Sequence, residues 1–245
     1  MTSSAAHTCH RTGAAPAACA CFPAVDAWIF DLDNTLYPGG SNLFDQVAEK
    51  MNLFLMERLG LDREGAKKMR RDYYLEYGTT LAGLMARHDM EPDPFLDFVH
   101  DIDHSVLDPH PQLGTAIRAL PGRKFIFTNG SVSHAAGVLK RLDIPLEIFD
   151  GVHDIKACQY IPKPERAAFA SFIERFAIQP ERAAMFEDLP HNLVTAHELG
   201  MATVLVSSDY DDHPSQAQVR VHDAAPDHIQ HVTNDIAGFV RELVS

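Results

Sequence analysis

The pattern of apolar and polar residues along the chain predicts strands that alternate with helices. Short apolar runs, such as those ending at Phe30, Phe127 and Phe186 and the run from Leu146 to Phe149, have the length of buried strands. Between and after them, residues 131–142, 164–176 and 190–199 have the composition and length of helices. Strands that alternate in this way with helices form a parallel sheet covered on both faces. The predicted fold class is therefore α/β, with a doubly wound, Rossmann-like parallel sheet.

A long helical stretch interrupts this alternation after the first strand. Apolar residues recur at three- and four-residue steps from Leu43 to Leu59, and shorter helices are predicted from there to about Asp101. Such a stretch is too long for a crossover loop. We therefore expect an inserted, all-helical domain at residues 41–107, and a core domain made of residues 25–40 and 108–245.

Residues 1–24 have no helical or strand period and are rich in small and polar residues, so a disordered tail is predicted there. Three of the four cysteines lie in this segment, and their spacing shows no disulfide framework. A reducing, cytoplasmic location is the corresponding expectation.

Charge and hydropathy argue against two classes of partner. No apolar run approaches the length of a membrane span, so no membrane association is expected. The formal net charge of −13 disfavours a nucleic acid polymer as a partner. It does not exclude a small phosphate ester, because a lysine and a metal ion can reverse the charge inside one pocket.

The first predicted strand ends in two carboxylates, Asp31 and Asp33. Residues two apart on an extended chain point the same way, and ligands of open parallel sheets bind at the carboxyl ends of the strands. Two like charges at close range need a cation or a shared proton. This pair therefore predicts a Mg²⁺ site in which one carboxylate also acts as a nucleophile.

Three later segments carry polar residues at or near the ends of predicted strands. Thr128 and Asn129 follow the second strand, where a hydroxyl and backbone N–H groups suit phosphoryl oxygens. Pro164 suits the first turn of a helix, which would place Lys163 at a helix N-terminus with an anion beside it. Glu187 and Asp188 end a further strand, and we expect Asp188 to contact the metal. Glu187 would act through water or hold Lys163, and Asn192 would support Asp188.

The segment Asp31-Leu32-Asp33-Asn34-Thr35 resembles the Asp-x-Asp-x-Thr signature of phosphatases in the haloacid dehalogenase-like hydrolase superfamily. Thr128, Lys163 and the pair Glu187 and Asp188 are similar to its three other motifs, in the same order. The resemblance implies that the helical insert is a cap that closes over the active site and determines substrate specificity.

The resemblance also implies roles for these residues. Asp31 would be the nucleophile that forms an aspartyl-phosphate. Asp33 would protonate the leaving group, then activate water, and would bind Mg²⁺ through its backbone carbonyl beside Asp31 and Asp188. Lys163, Thr128 and Asn129 would bind the phosphate. An acid at position 33 favours phosphomonoester hydrolysis over P-type ATPase or dehalogenase chemistry.

A finer resemblance is to the pyrimidine 5′-nucleotidase branch, which hydrolyses UMP or CMP to nucleoside and phosphate. It rests on Asp33-Asn34-Thr35-Leu36-Tyr37-Pro38, Tyr73-Tyr74-x-x-Tyr77-Gly78-Thr79-Thr80-Leu81, Gly83-Leu84, His88, Val99-His100-Asp101 and Ile126-Phe127-Thr128-Asn129. It makes Tyr77, Thr80, His88 and His100 candidates for substrate contacts. Two departures from the branch are Glu187-Asp188-Leu189-Pro190 in place of Asp-Asp-Ser, and Ile161-Pro162 before Lys163, where a cysteine is frequent.

Other functions stay open at this point. The core motifs are equally compatible with a phosphatase of another small metabolite, such as a sugar phosphate or phosphoglycolate, and with a phosphomutase. A binding protein built on an inactive hydrolase fold would lack a nucleophile, an acid or a metal ligand, and residues of all three kinds are present. The sequence does not distinguish a monomer from a dimer.

Overall fold

A computed structural model describes residue 22, residues 24–208 and residues 226–245. Within these residues, six strands form one sheet in which all neighbouring strands are parallel. The strands are β1 (Ala27–Phe30), β2 (Arg123–Phe127), β3 (Gly151–His153), β4 (Ala183–Glu187), β5 (Ala202–Val206) and β6 (His231–Thr233). Their order across the sheet is β3-β2-β1-β4-β5-β6, with β1 near the middle.

Helices surround this sheet. They are α1 (Leu43–Leu59), α2 (Arg63–Tyr77), α3 (Thr80–His88), α4 (Pro92–Val99), α5 (Pro111–Ala119), α6 (Val132–Arg141), α7 (Arg166–Phe176), α8 (Asn192–Glu198) and α9 (Ile236–Leu243). Several begin with a side-chain cap, as at Asp62, Thr79 and Ser131, whose oxygens accept a backbone N–H of the first turn. Gly60 and Gly78 end α1 and α2 in the left-handed region, which glycine adopts without steric cost.

The two faces of the sheet bury different sets of side chains. On β1, Trp28 and Phe30 point to one face, while Ala27 and Ile29 point to the other. Helices α5, α6 and α9 cover the first face, and α7 and α8 cover the second. Alternation of side chains along buried strands produces two apolar faces, each of which needs a helical layer. The predicted doubly wound α/β fold is confirmed.

Helices α1 to α4 pack around a third apolar cluster, whose buried members include Val47, Phe54, Leu84 and Phe95. Ile155, from the loop after β3, also belongs to this cluster. The helical insert therefore has an apolar core of its own, which also contacts the sheet side of the molecule. The division into a core and a cap, with the predicted boundaries, stays a proposal.

Two details of the predicted elements are wrong. Residues 146–149 were expected to be a strand, but Leu146–Ile148 form a turn of 3₁₀-helix after Pro145, and the edge strand is Gly151–His153. The helix expected from Pro164 begins at Arg166, so Lys163 and Pro164 precede it. A short apolar run is compatible with a strand and with a helical turn. Ile148 and Phe149 are buried here, which both structures allow, so the apolar pattern did not distinguish them.

The predicted tail lies almost entirely outside the described residues. Phe22 is an exception, because it is 8% exposed and its ring lies 6.0 Å from that of Trp28. Phe22 thus belongs to the apolar core rather than to a tail. None of the helices in the described parts of the chain has the length and apolar character that a membrane crossing requires.

Candidate active site

The ends of three adjacent strands bring the predicted site residues together. Asp31 follows β1, Thr128 follows β2, and Glu187 and Asp188 lie at the end of β4. Because β1 pairs with both β2 and β4 in parallel, these residues meet at the carboxyl edge of the sheet. That edge is where open α/β sheets bind ligands.

Lys163 is the central cation of this site and is 1% exposed. Its Nζ donates to Asp31 Oδ1 and to Glu187 Oε2, both at 2.7 Å, and to the backbone oxygen of Phe127 at 2.9 Å. Burial alone would lower the pKa of Lys163, but Asp31 and Glu187 raise it above its usual value. A buried ammonium with three acceptors stays charged, so this lysine supplies a fixed positive charge beside Asp31.

Three buried carboxylates converge around that lysine. Ligand oxygens of Asp31, Glu187 and Asp188 all lie within 4.8 Å of one another. Burial, and then the charge of Glu187, raise the pKa of Asp31 to about 7. Burial and the charges of Glu187 and Asp31 likewise raise the pKa of Asp188 well above its usual range.

This cluster fits a divalent cation. One lysine does not balance three buried carboxylates, and hard cations such as Mg²⁺ prefer carboxylate oxygens. The predicted metal ligands Asp31 and Asp188 are thus adjacent, and Glu187 contacts Lys163 directly, which was one of its two expected roles. Asn192 is buried, and its side-chain oxygen has no hydrogen-bond partner in the described structure. The expected support of Asp188 by Asn192 stays a prediction.

Thr128 and Asn129 lie at the end of β2, as expected. The hydroxyl oxygen of Thr128 accepts the Gly130 N–H at 2.9 Å, and Thr128 itself is buried. The Asn129 side chain brackets the backbone of Lys163, accepting its N–H at 2.8 Å and donating to its carbonyl at 3.3 Å. The Asn129 side chain therefore holds the segment that carries Lys163, which the sequence did not predict.

Asp33 lines the cavity but is not part of the three-carboxylate cluster. Its Oδ1 accepts from Tyr37 Oη at 2.5 Å and lies 2.7 Å from His134 Nε2. Burial would raise the pKa of Asp33, but the charge and hydrogen bond of His134, together with Tyr37, lower it to about 2. Oδ2 makes neither of these bonds. The pair of donors thus fixes the rotamer of Asp33 and leaves one oxygen available for proton transfer.

His134 is a residue of this site that the sequence reasoning missed. It lies in the first turn of α6, after the Ser131 cap, and its ring stacks on His100 with centroids 4.4 Å apart. His100 Nδ1 in turn lies 3.0 Å from Ser131 Oγ. The sequence contained one indication of this role: His134 lies only six residues after Thr128, at the start of the helix that follows the β2 strand end.

A cavity of about 520 Å³ opens above these residues, between the strand ends and helices α1 to α4. Of the four predicted substrate contacts, Thr80 and His100 line this cavity. Tyr77 and His88 are not among its lining residues; Tyr77 packs edge-on against Tyr73, and His88 Nε2 lies 2.7 Å from Tyr73 Oη. These two expectations are not supported, because the face of α2 that carries Tyr73 and Tyr77 differs from the face toward the cavity, which carries Tyr74.

Comparison with protein families gives one match over most of the chain. The family model of the haloacid dehalogenase-like hydrolases matches residues 25–200. This range includes every strand-end residue described above and the four helices that cover the cavity.

Two curated proteins are similar in sequence. The chain is 29% identical to Phosphate metabolism protein 8 of Saccharomyces cerevisiae over 208 residues, which are 75% of this chain and 62% of the yeast protein. The match thus spans less than two thirds of that relative's length. The chain is also 26% identical to the Glyceraldehyde 3-phosphate phosphatase of Methanopyrus kandleri over 238 residues, covering 89% of this chain and 98% of that protein.

A solved structure with the same fold is that of CbbY from Rhodobacter sphaeroides in complex with phosphate. Its TM-score is 0.57 at 18% identity, and the alignment covers 87% of this chain and 95% of that one. At this identity the similarity establishes the fold.

Proposed function

The chain belongs to the haloacid dehalogenase-like hydrolases, and we propose that it is a metal-dependent phosphomonoesterase that acts through an aspartyl-phosphate. The observation that carries this proposal is the contact of Lys163 Nζ with both Asp31 and Glu187, beside Asp188 and below a cavity. An attacking carboxylate, a fixed cation and an oxygen-rich metal site are what transfer of a phosphoryl dianion requires.

We propose Mg²⁺ as the cofactor, bound by the carboxylates of Asp31 and Asp188 and by the backbone carbonyl of Asp33. A bound Mg²⁺ would neutralise charge on the phosphoryl group and orient it. Lys163 Nζ donates to Asp31 Oδ1, and Thr35 Oγ1 donates to Asp31 Oδ2 at 3.1 Å. Both oxygens of the proposed nucleophile are therefore held in place. Such positioning lowers the barrier because the reacting groups lose little further freedom.

Two steps follow from this arrangement. In the first, an Asp31 oxygen attacks phosphorus, the bond to the ester oxygen breaks, and Asp33 gives its proton to the departing alkoxide. In the second, Asp33 takes a proton from water, whose oxygen attacks phosphorus and releases phosphate from Asp31. The Thr128 hydroxyl and the Asn129 backbone N–H would bind the phosphoryl oxygens. His134 and Tyr37 favour the carboxylate form of Asp33 needed for the second step, and a bound phosphate dianion would raise its pKa for the first.

The first candidate substrate is a pyrimidine nucleoside monophosphate, UMP or CMP. Support for it comes from the sequence resemblance in the helical insert, and from Thr80 and His100, which line the cavity and can hydrogen-bond a ribose or base. The second candidate is the phosphate ester of another small metabolite, and its support is the similarity to a Glyceraldehyde 3-phosphate phosphatase along almost that protein's whole length. A cytoplasmic location is part of the proposal.

Phosphate release from a panel of esters tests the activity. The panel contains UMP, CMP, AMP, sugar phosphates, phosphoglycolate and p-nitrophenyl phosphate, each with Mg²⁺ and with EDTA. We expect release that needs Mg²⁺ and that is lost in Asp31→Asn. Release confined to UMP and CMP would establish the first candidate, whereas release of sugar phosphates or phosphoglycolate alone would establish the second. No release from any ester, or full activity in Asp31→Asn, would overturn the phosphomonoesterase.

A further inference from the structure

Helix α2 gives the cavity a positively charged wall that the proposed chemistry does not use. Four cationic residues of α2 line this cavity, and they are Lys67, Lys68, Arg70 and Arg71. Glu64 is the carboxylate of α2 that lines it with them. In a chain whose formal net charge is −13, this wall, which we call the basic wall, reverses the local sign of charge.

The helical repeat explains how these residues reach one cavity. Positions 67, 68, 71 and 74 lie three, four, seven and ten residues after position 64, so the five positions share a face of α2. Arg70 borders that face and is partly buried. The basic wall is therefore one face of a single helix, continuous with Tyr74 and with Gly78 at its end.

The two lysines of the basic wall have only weak partners in the structure. Lys67 Nζ lies 3.2 Å from Glu64, whose side chain is 81% exposed, and Lys68 pairs with Asp72 on the same helix. Exposed pairs of this kind contribute little to stability. Arg71 forms no ion pair or side-chain hydrogen bond with any other residue in the described part of the chain. Lys67, Lys68 and Arg71 can thus turn to a bound anion at little cost.

We propose that the basic wall binds a second anionic group of the substrate, at the end remote from the phosphate that is hydrolysed. This inference rests on the proposed phosphomonoesterase activity and narrows its substrate class to phosphate esters that carry a carboxylate or a further phosphate. Lys163 and the metal site receive the reacting phosphate, and the planar guanidinium of Arg71 suits a carboxylate or phosphate as a paired acceptor. Phosphoglycolate belongs to this class, whereas UMP and CMP carry a neutral base, so the inference favours the second candidate substrate over the first.

The apolar part of the cavity is compatible with this class. Phe44, Val47, Met51, Phe95 and Val99 line the space next to the basic wall. The carbon skeleton between two anionic groups would lie against these side chains.

Matched substrates test the inference. We would compare 3-phosphoglycerate with glycerol 3-phosphate, and fructose 1,6-bisphosphate with fructose 6-phosphate, because the members of each pair differ in the second anion. The wild-type protein should show a higher kcat/KM for the doubly anionic member of at least one pair. In Arg71→Gln, the KM of that member should rise roughly tenfold or more, while the KM of its partner changes less than about twofold.

Arg63→Gln is the matched control. Arg63 lies on the same helix, pairs with Glu49 at 2.9 Å and is not among the cavity-lining residues. It removes the same charge from the same helix, so equal effects of Arg63→Gln and Arg71→Gln would indicate general electrostatic steering and overturn the inference. No preference for the doubly anionic member in either pair would overturn it as well.

Binding separates this inference from the activity. The affinity of each ester for the Asp31→Asn variant is measured by calorimetry, with and without the additional Arg71→Gln change. Tighter binding of the doubly anionic member, lost with Arg71, would support the basic wall even if no ester were hydrolysed. Hydrolysis of p-nitrophenyl phosphate without any such difference in affinity would support the phosphomonoesterase and reject the second-anion site.

Discussion

His134 Nε2 lies 2.7 Å from Asp33 Oδ1, and both side chains are largely shielded from water. The same oxygen accepts the hydroxyl of Tyr37. The proposed acid and base of the reaction is therefore held by two donors that contact neither the carboxylate cluster nor Lys163. His134 acts on the chemistry through Asp33, as a positioning residue.

Removal of the His134 ring should lower kcat much more than it changes KM. His134→Ala removes one of the two donors that hold the carboxylate of Asp33. General acid–base catalysis contributes on the order of a hundredfold or more to the rate, and we expect this variant to lose about tenfold or more in kcat. His134→Gln retains an N–H donor and should restore part of the activity. Steady-state kinetics on a hydrolysed ester measures both. His197→Gln is the control, because His197 lies on α8 and does not line the cavity. Equal losses of kcat in His134→Ala and His134→Gln would contradict the positioning role.

Lys163→Met should abolish turnover and destabilise the fold. It would leave Asp31 and Glu187 buried without their cation, and breaking a buried ion pair in this way costs about 3–5 kcal/mol. The loss should be smaller at pH 5 than at pH 8, because the pKa of Asp31 is raised to about 7 and its carboxyl is protonated at pH 5. Urea unfolding at the two pH values measures it. Lys156→Gln breaks an exposed pair with Asp93 and should change the unfolding midpoint far less; similar losses in both variants would refute the argument.

Asn129→Ala tests the hydrogen bonds that bracket Lys163. The variant keeps the backbone N–H proposed for phosphate binding, but loses both side-chain bonds to the Lys163 backbone. We expect a loss of about 1–3 kcal/mol in unfolding free energy. The kcat should fall, with a modest change in the affinity for inorganic phosphate, because the segment carrying Lys163 becomes less ordered. A large loss of phosphate affinity at unchanged stability would instead assign the side chain to phosphate binding.

Stability without a divalent cation should fall as pH rises toward neutrality. The pKa of Asp31 is raised to about 7 in the folded protein, so between about pH 4 and pH 7 the folded state holds a proton that the unfolded chain has released. Stability is then lost as pH rises, and Mg²⁺ can replace that proton. The gain in Tm caused by Mg²⁺ should therefore be larger at pH 8 than at pH 5, as thermal unfolding with Mg²⁺ and with EDTA would show.

Two neighbouring groups act differently in this experiment. The raised pKa of His134 also makes stability fall as pH rises past its unfolded value, but this loss occurs with or without Mg²⁺ and cancels in the difference. The lowered pKa of Asp33 acts only below about pH 4. Asp31→Asn lacks the titrating carboxyl and should show a smaller pH dependence of the Mg²⁺ effect. An equal Mg²⁺ effect at both pH values in the wild-type protein would contradict the prediction.

The sequence by itself determined the sheet and the membership of its carboxyl edge. Apolar runs that end in Asp31, Thr128 and Glu187 identify strands, and parallel strands place such ends at one edge whatever the loops between them do. The motif order of the resembled family placed Lys163 at the same edge, and Lys163 contacts Asp31 there even though its helix begins later than expected. The strand assignments depend only on local pattern and on the general geometry of parallel sheets.

Only the tertiary structure decided which side chains meet across the site. His134 contacts Asp33 from 101 residues away, and Tyr77 and His88 pack with Tyr73 while the basic wall of α2 lines the cavity. Periodicity shows which residues of a helix share a face, but the orientation of that helix is set by the packing of its apolar side against others. The residues that a helix faces therefore depend on how the whole molecule packs. For this reason only the tertiary structure shows which face of α2 lines the substrate cavity.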